Sequence, residues 1–145
     1  MLKNLHPLLS PPLLTVLAEM GHGDEIAIVD ANFPAASHAR RLVQAGGSTA
    51  PQVLEAVLTL LPLDSFVACP AAVMTPQEGR PPIIGEFQVL LDAAESTSVG
   101  IEDVDQTDAV KLTGPSISAG LAEDTSASVG VDFVTVRDTV LVVVE

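Results

Sequence analysis

Apolar positions recur at helical spacing in three stretches of the chain. In 11–20, Leu13, Leu14, Leu17 and Ala18 share one face. Ser10 ahead of Pro11 is a strong start signal, because the serine hydroxyl caps free N–H groups and proline lacks one. Gly21 stands where a C-cap glycine is taken. In 51–61, Val53, Leu54, Val57, Leu58 and Leu61 line up, and in 83–94 Ile84, Phe87, Leu90 and Leu91 do. A further helix is predicted over 35–44, with Arg40 and Arg41 outward and Gly46-Gly47-Ser48 ending it. Between the first two helices, 24–30 (DEIAIVD) is nearly unbroken apolar sequence, the pattern of a strand buried on both faces in a parallel sheet. Residues 66–69 form a candidate short strand, and 75–82 reads as a loop. Stretch 113–130 is mostly Ser, Gly, Ala, Thr and Asp with weak periodicity. Two β-branched runs follow, 133–136 and 139–144, as a hairpin or one bent strand. The alternation predicts a single α/β domain over 1–145, its mainly parallel sheet flanked by helices.

Composition narrows the function classes. The chain has 145 residues, 6 Lys plus Arg and 19 Asp plus Glu, for a net charge of -13. Phosphate recognition needs clustered cations, so neither nucleic acid nor an anionic membrane is an expected partner. A hydrophobic fraction of 48% with 17% charged residues excludes disorder for most of the chain and hints at oligomerisation. Trp and Tyr are absent, so a module stacking sugar rings on several aromatics is hard to build. The N-terminal apolar run is broken by Pro7, Pro11 and Pro12, unlike a signal peptide, and no apolar stretch is long enough to span a bilayer. The expectation is a soluble, cytoplasmic protein. Cys69, the lone cysteine, is read as a buried, inert, reduced thiol beside Pro70.

Two segments carry candidate chemistry. In Gly21-His22-Gly23-Asp24 the histidine is flanked by glycines that leave it sterically accessible, a useful place for a general acid/base. The ordinary alternative is an exposed loop histidine. Asp30, opening Asp30-Ala31-Asn32-Phe33-Pro34, ends the first strand at the edge where open α/β sheets bind ligands. It can accept from sugar hydroxyls or take a proton, or simply cap the turn that follows. His6 and His38 lack such context and read as surface or interface residues. The histidines are too scattered for a metal motif. Glu102, Asp103, Asp105 and Asp108 lack the glycine and glutamate placement of a calcium loop and read as a solvated acidic loop. Neither a metal nor a cofactor is expected. Gly21-His22-Gly23 is no phosphate loop, since it precedes a strand and no Lys attends it, and no G-x-S-x-G hydrolase element is present.

Met1-Leu2-Lys3-Asn4, Leu14 to Met20 running into Gly21-His22-Gly23-Asp24-Glu25-Ile26, and Asp30-Ala31-Asn32-Phe33-Pro34 together resemble the fucose mutarotase branch of the RbsD/FucU family. Leu61-Pro62-Leu63-Asp64 and Asp92-Ala93-Ala94-Glu95 fit the same branch, so the resemblance covers about residues 1–101. It implies an RbsD-like α/β fold, ring-like homo-oligomers (typically decamers), and metal-free, cofactor-free exchange of monosaccharide anomers. It also implies that His22 is the catalytic acid/base and Asp30 a sugar-binding residue. From about residue 102 the chain departs: the family's Ile-Glu-Arg reads Ile101-Glu102-Asp103, and its Tyr-Gly-Asn is missing because the chain has no Tyr. The resemblance assigns sugar contacts to those elements, so a non-catalytic sugar-binding or regulatory oligomer is the alternative to an isomerase.

Anomer exchange opens a hemiacetal and closes it on the other face. The anomeric hydroxyl loses a proton while the ring oxygen gains one, which a single imidazole can relay. His22 precedes the first strand and Asp30 ends it. At about 3.3 Å per residue they lie roughly 20 Å apart, too far for one monosaccharide. The expectation is a site between subunits, with His22 and Asp30 from different chains.

Overall fold

The 11–20 stripe forms α1 (Pro11–Glu19), with Ser10 Oγ accepting from Leu13 N–H at 3.4 Å and Leu13 and Val16 buried. The computed structural model describes residues 2–75, 80–95, 98–105, 109–113 and 140–144. The apolar run after α1 is β1 (Glu25–Asp30). Then come α2 (Ala35–His38), β2 (Arg41–Ala45), α3 (Ala50–Leu58), β3 (Ala71–Thr75), α4 (Pro82–Glu95), β4 (Ile101–Asp105), β5 (Ala109–Thr113) and β6 (Val140–Val144).

The strands form one sheet in the order β2-β6-β1-β5-β3-β4. The β2–β6, β6–β1 and β3–β4 pairs are parallel, whereas β5 runs antiparallel to both β1 and β3. Five strands therefore share one direction and β5 alone opposes them, which is a mainly parallel sheet. Successive side chains of β1 alternate between faces. Ile26 and Ile28 join the large core built with α1, α3 and α4, including Leu13, Leu54, Leu91 and Leu112. Ala27 and Val29 face a smaller cluster with Ala35 of α2, Phe33 and Met74.

Four sequence expectations are corrected. The helix over 35–44 stops at His38, and Arg41–Ala45 is an edge strand. Its apolar content is too sparse for a helical stripe, and pairing with β6 satisfies its backbone instead. The strand placed at 66–69 starts at Ala71, after Pro70. Cys69 is exposed, not buried, because the α3–β3 connection runs over the surface there. Ile101–Asp105 is a strand beside β3, not an acidic loop, and Asp108 lies outside the described residues.

β6 has β1 on one side and β2 on the other, both parallel. The 133–136 run and residues 114–130 lie outside the described residues, as do 76–79 of the 75–82 loop. Among the described residues, no helix is long and apolar enough to cross a membrane.

Candidate active site

Two residues, Gly23 and Asp24, separate His22 from β1. α1 ends with an extended Met20 whose N–H bonds Val16 O, so Gly21 is not the left-handed cap its position suggested. Gly21 N–H donates to Asp24 Oδ2 at 2.6 Å and Asp24 N–H to Gly21 O at 3.1 Å, closing a tight turn. Gly23 takes φ +82° inside it, where a side chain is strained. The turn thrusts His22 outward, leaving its side chain 43% exposed.

The residue it meets comes from the α3–β3 connection. His22 Nδ1 lies 2.8 Å from Asp64 Oδ2, and the Asp64 side chain is only 1% exposed. Leu61 and Leu63 are buried and pull this connection into the core. Leu63 N–H is held by Glu95 Oε1 at 3.0 Å from the end of α4, and Phe66 N–H donates to Asp64 Oδ1 at 2.9 Å. Asp64 Oδ2 makes no hydrogen bond of regular geometry, and the group it faces is the His22 imidazole. The Phe66 ring stands edge-on to His22, centroids 5.3 Å apart and planes at 82°.

Topology explains the meeting. Ile26 of β1 and Ala71 of β3 both pair with Leu112 of β5. The two parallel strands therefore begin level, two strand spacings or about 10 Å apart. Segments entering them arrive at the same sheet edge, which places a turn before β1 beside a loop before β3. The pair thus sits at the amino edge, opposite to where open α/β sheets usually bind ligands. With the carboxylate facing Nδ1, Nε2 is the imidazole nitrogen that can exchange protons with a bound molecule.

Asp30 stands at the carboxyl end of β1, away from His22. Its Oδ1 accepts from Asn32 N–H at 2.6 Å and Phe33 N–H at 3.2 Å, the turn-capping role weighed from sequence. His6 is half-buried, its Nδ1 accepting from Leu8 N–H at 3.3 Å, and His38 is exposed with its ring 5.6 Å from that of Phe33. A groove of about 580 Å³ between α3 and α4, lined by Pro51, Glu55, Pro82, Gly85, Glu86 and Val89 among others, contains neither His22 nor Asp30. Among the described residues, no group of three or more His, Cys, Asp or Glu is arranged to hold a metal. Asp64 was legible only as part of Leu61-Pro62-Leu63-Asp64, where it follows two leucines that bury.

A mainly parallel α/β sheet carrying a solvent-open histidine on a buried aspartate defines the class of protein. The chain belongs to the RbsD / FucU transport protein family, whose pattern it matches over residues 3–116. It is similar to the fucose mutarotase of Homo sapiens, 57% identical over 76 residues, which are 50% of this chain and 49% of that protein. It is also similar to the L-fucose mutarotase of Haemophilus influenzae, 48% identical over 79 residues (54% of this chain, 55% of that protein). The chain thus spans about half the length of the curated relatives it matches. Among solved structures it resembles the fucose mutarotase of Streptococcus pneumoniae in complex with L-fucose, with a TM-score of 0.68 and 28% identity over 81% of this chain and 100% of that one. FucU of Bifidobacterium longum gives a TM-score of 0.64 and 27% identity, covering 80% and 100%.

Proposed function

We propose that this chain interconverts the α and β anomers of a pyranose such as L-fucose, with His22 as the proton relay. The observation that carries the reading is the His22–Asp64 contact at 2.8 Å on an imidazole that remains 43% exposed. Asp64 holds the ring's orientation and stabilises the imidazolium formed when Nε2 takes the anomeric proton. The same nitrogen hands that proton to the ring oxygen as the C–O bond breaks, and both transfers run in reverse when the ring closes on the other face. Acid/base help of this kind contributes about 10²–10⁴-fold in rate. The bond being opened is a hemiacetal that already exchanges in water, so a relay of this strength is enough without a covalent intermediate. The similarity to fucose mutarotases, one of them bound to L-fucose, supports the substrate class.

Asp30 binds sugar hydroxyls in this reading and comes from a neighbouring copy, because it and His22 occupy opposite ends of β1. The working form is a homo-oligomer, a decamer by family resemblance. We assign it to the cytoplasm, in keeping with its lone cysteine.

A second reading is a sugar-binding or regulatory oligomer without catalysis. It is favoured by Asp103 standing where the family has Arg and by the absence of Tyr from the chain. Saturation-transfer NMR on equilibrated L-fucose separates the two. Faster exchange between the anomer signals, abolished by His22→Ala, is the expected result. Sugar binding without faster exchange would leave the second reading standing.

A further inference from the structure

We propose that Phe66 is a positioning residue for the His22–Asp64 pair, holding the imidazole through its ring and the carboxylate through its main-chain N–H. The inference rests on the mutarotase reading and deepens it. Phenylalanine is ordinarily a core residue. Phe66 is 84% exposed, in a chain with only 4 Phe and no other kind of aromatic apart from histidine. Its place is therefore not explained by burial. It touches both members of the pair: the ring is edge-on to His22 at 5.3 Å, and the N–H meets Asp64 Oδ1 at 2.9 Å.

Asp64 Oδ2 fixes the imidazole at one point, Nδ1. Beyond that contact the ring is held only through its bond to Cβ, so coupled rotation about the two side-chain bonds still sweeps Nε2 through an arc. A second contact at right angles to the imidazole plane stops that rotation. Edge-to-face packing supplies that contact. His22, Asp64 and Phe66 thus form a closed triangle in which Nε2 has one direction to point.

Phe66→Leu removes the π face but keeps the backbone N–H and most of the apolar volume, and Phe66→Tyr keeps the ring. Both replace an exposed side chain, so the fold is expected to survive, as a thermal melt would check. Anomer exchange measured over a range of L-fucose concentrations should show kcat down about 3- to 10-fold for Phe66→Leu, with KM within about twofold. Phe66→Tyr should restore kcat. The ¹⁵N signals of the His22 ring should move in Phe66→Leu towards averaged tautomers and stay near the parent in Phe66→Tyr.

Unchanged kcat together with unchanged ring signals in Phe66→Leu would overturn the proposal. So would a rise in KM alone, which would make Phe66 a sugar contact instead. If His22→Ala fails to slow exchange, the mutarotase reading falls, and the ¹⁵N signals still decide whether Phe66 positions the ring.

Discussion

His22 draws its chemistry from one neighbour that is near it in sequence and another that is far. The near one is Gly23, whose φ of +82° lets the chain reverse immediately before β1. Gly23→Ala is expected to cost about 1–2 kcal/mol, because a Cβ crowds the backbone in that region. Nothing lies within 4 Å of the added Cβ, so the cost is backbone strain and not a clash. Chemical denaturation measures it. The far neighbour is Asp64. Asp64→Asn keeps the shape but replaces the carboxylate facing Nδ1 with an amide, so anomer exchange should fall by about tenfold or more with the fold intact. Exchange at the parent rate in Asp64→Asn would remove the aspartate from the mechanism. The glycine-flanked histidine was legible from adjacent residues alone. Asp64 was not, since nothing within a few positions of it announces a partner beyond α3, β2 and α2.

The helices that cover the core were readable because each repeats its apolar residues every third or fourth position. α3 matches its stripe, burying Val53, Leu54 and Val57, and Thr49 N–H is capped by Gln52 Oε1 at 2.9 Å. Leu54 has no exposed surface, so Leu54→Ala should lower stability by about 2–5 kcal/mol in a urea titration, through lost burial and the cavity left behind. α4 does more than pack. Glu95 at its end accepts from Leu63 N–H and so ties down the segment that carries Asp64. Glu95→Ala should therefore slow exchange, while Glu95→Gln, which keeps a carbonyl acceptor, should slow it less; equal rates in the two variants would count against this tether. Segment 35–44 misled because Leu42 and Val43 are its last apolar positions before Ala45, too few to reveal a period. As the strand β2 it has a single buried residue, Val43, and is held by β6, which joins from the other end of the chain.

For the molecule as a whole, the question is whether one copy is enough to make a site. Within a chain, β1 separates His22 from Asp30 by its full length. If sites form between copies, His22→Ala and Asp30→Ala proteins are each inactive alone. Dissociated, mixed in equal amounts and reassociated, they should recover about a quarter of the parent rate, since random assembly pairs two intact halves at about one junction in four. Sedimentation should show an assembly larger than one chain. No recovery on mixing would return both residues to a single chain or remove Asp30 from the site. The C-terminal part bears on the same question: the family match runs to residue 116, past the 101 expected from sequence, and so takes in β5, while β6 lies beyond it; both flank β1.

Local pattern was sufficient for the helices α1, α3 and α4, for β1 as a doubly buried strand, and for the accessible histidine. Each depends on residues a few positions apart, where spacing alone decides which side chains share a face. The order of strands, the insertion of β5 between β1 and β3, and the joining of His22 to Asp64 came only with the folded chain. Sheet hydrogen bonds connect segments without regard to their separation in sequence, and the level starts of β1 and β3 across Leu112 are a matter of register that no stretch of neighbouring residues encodes.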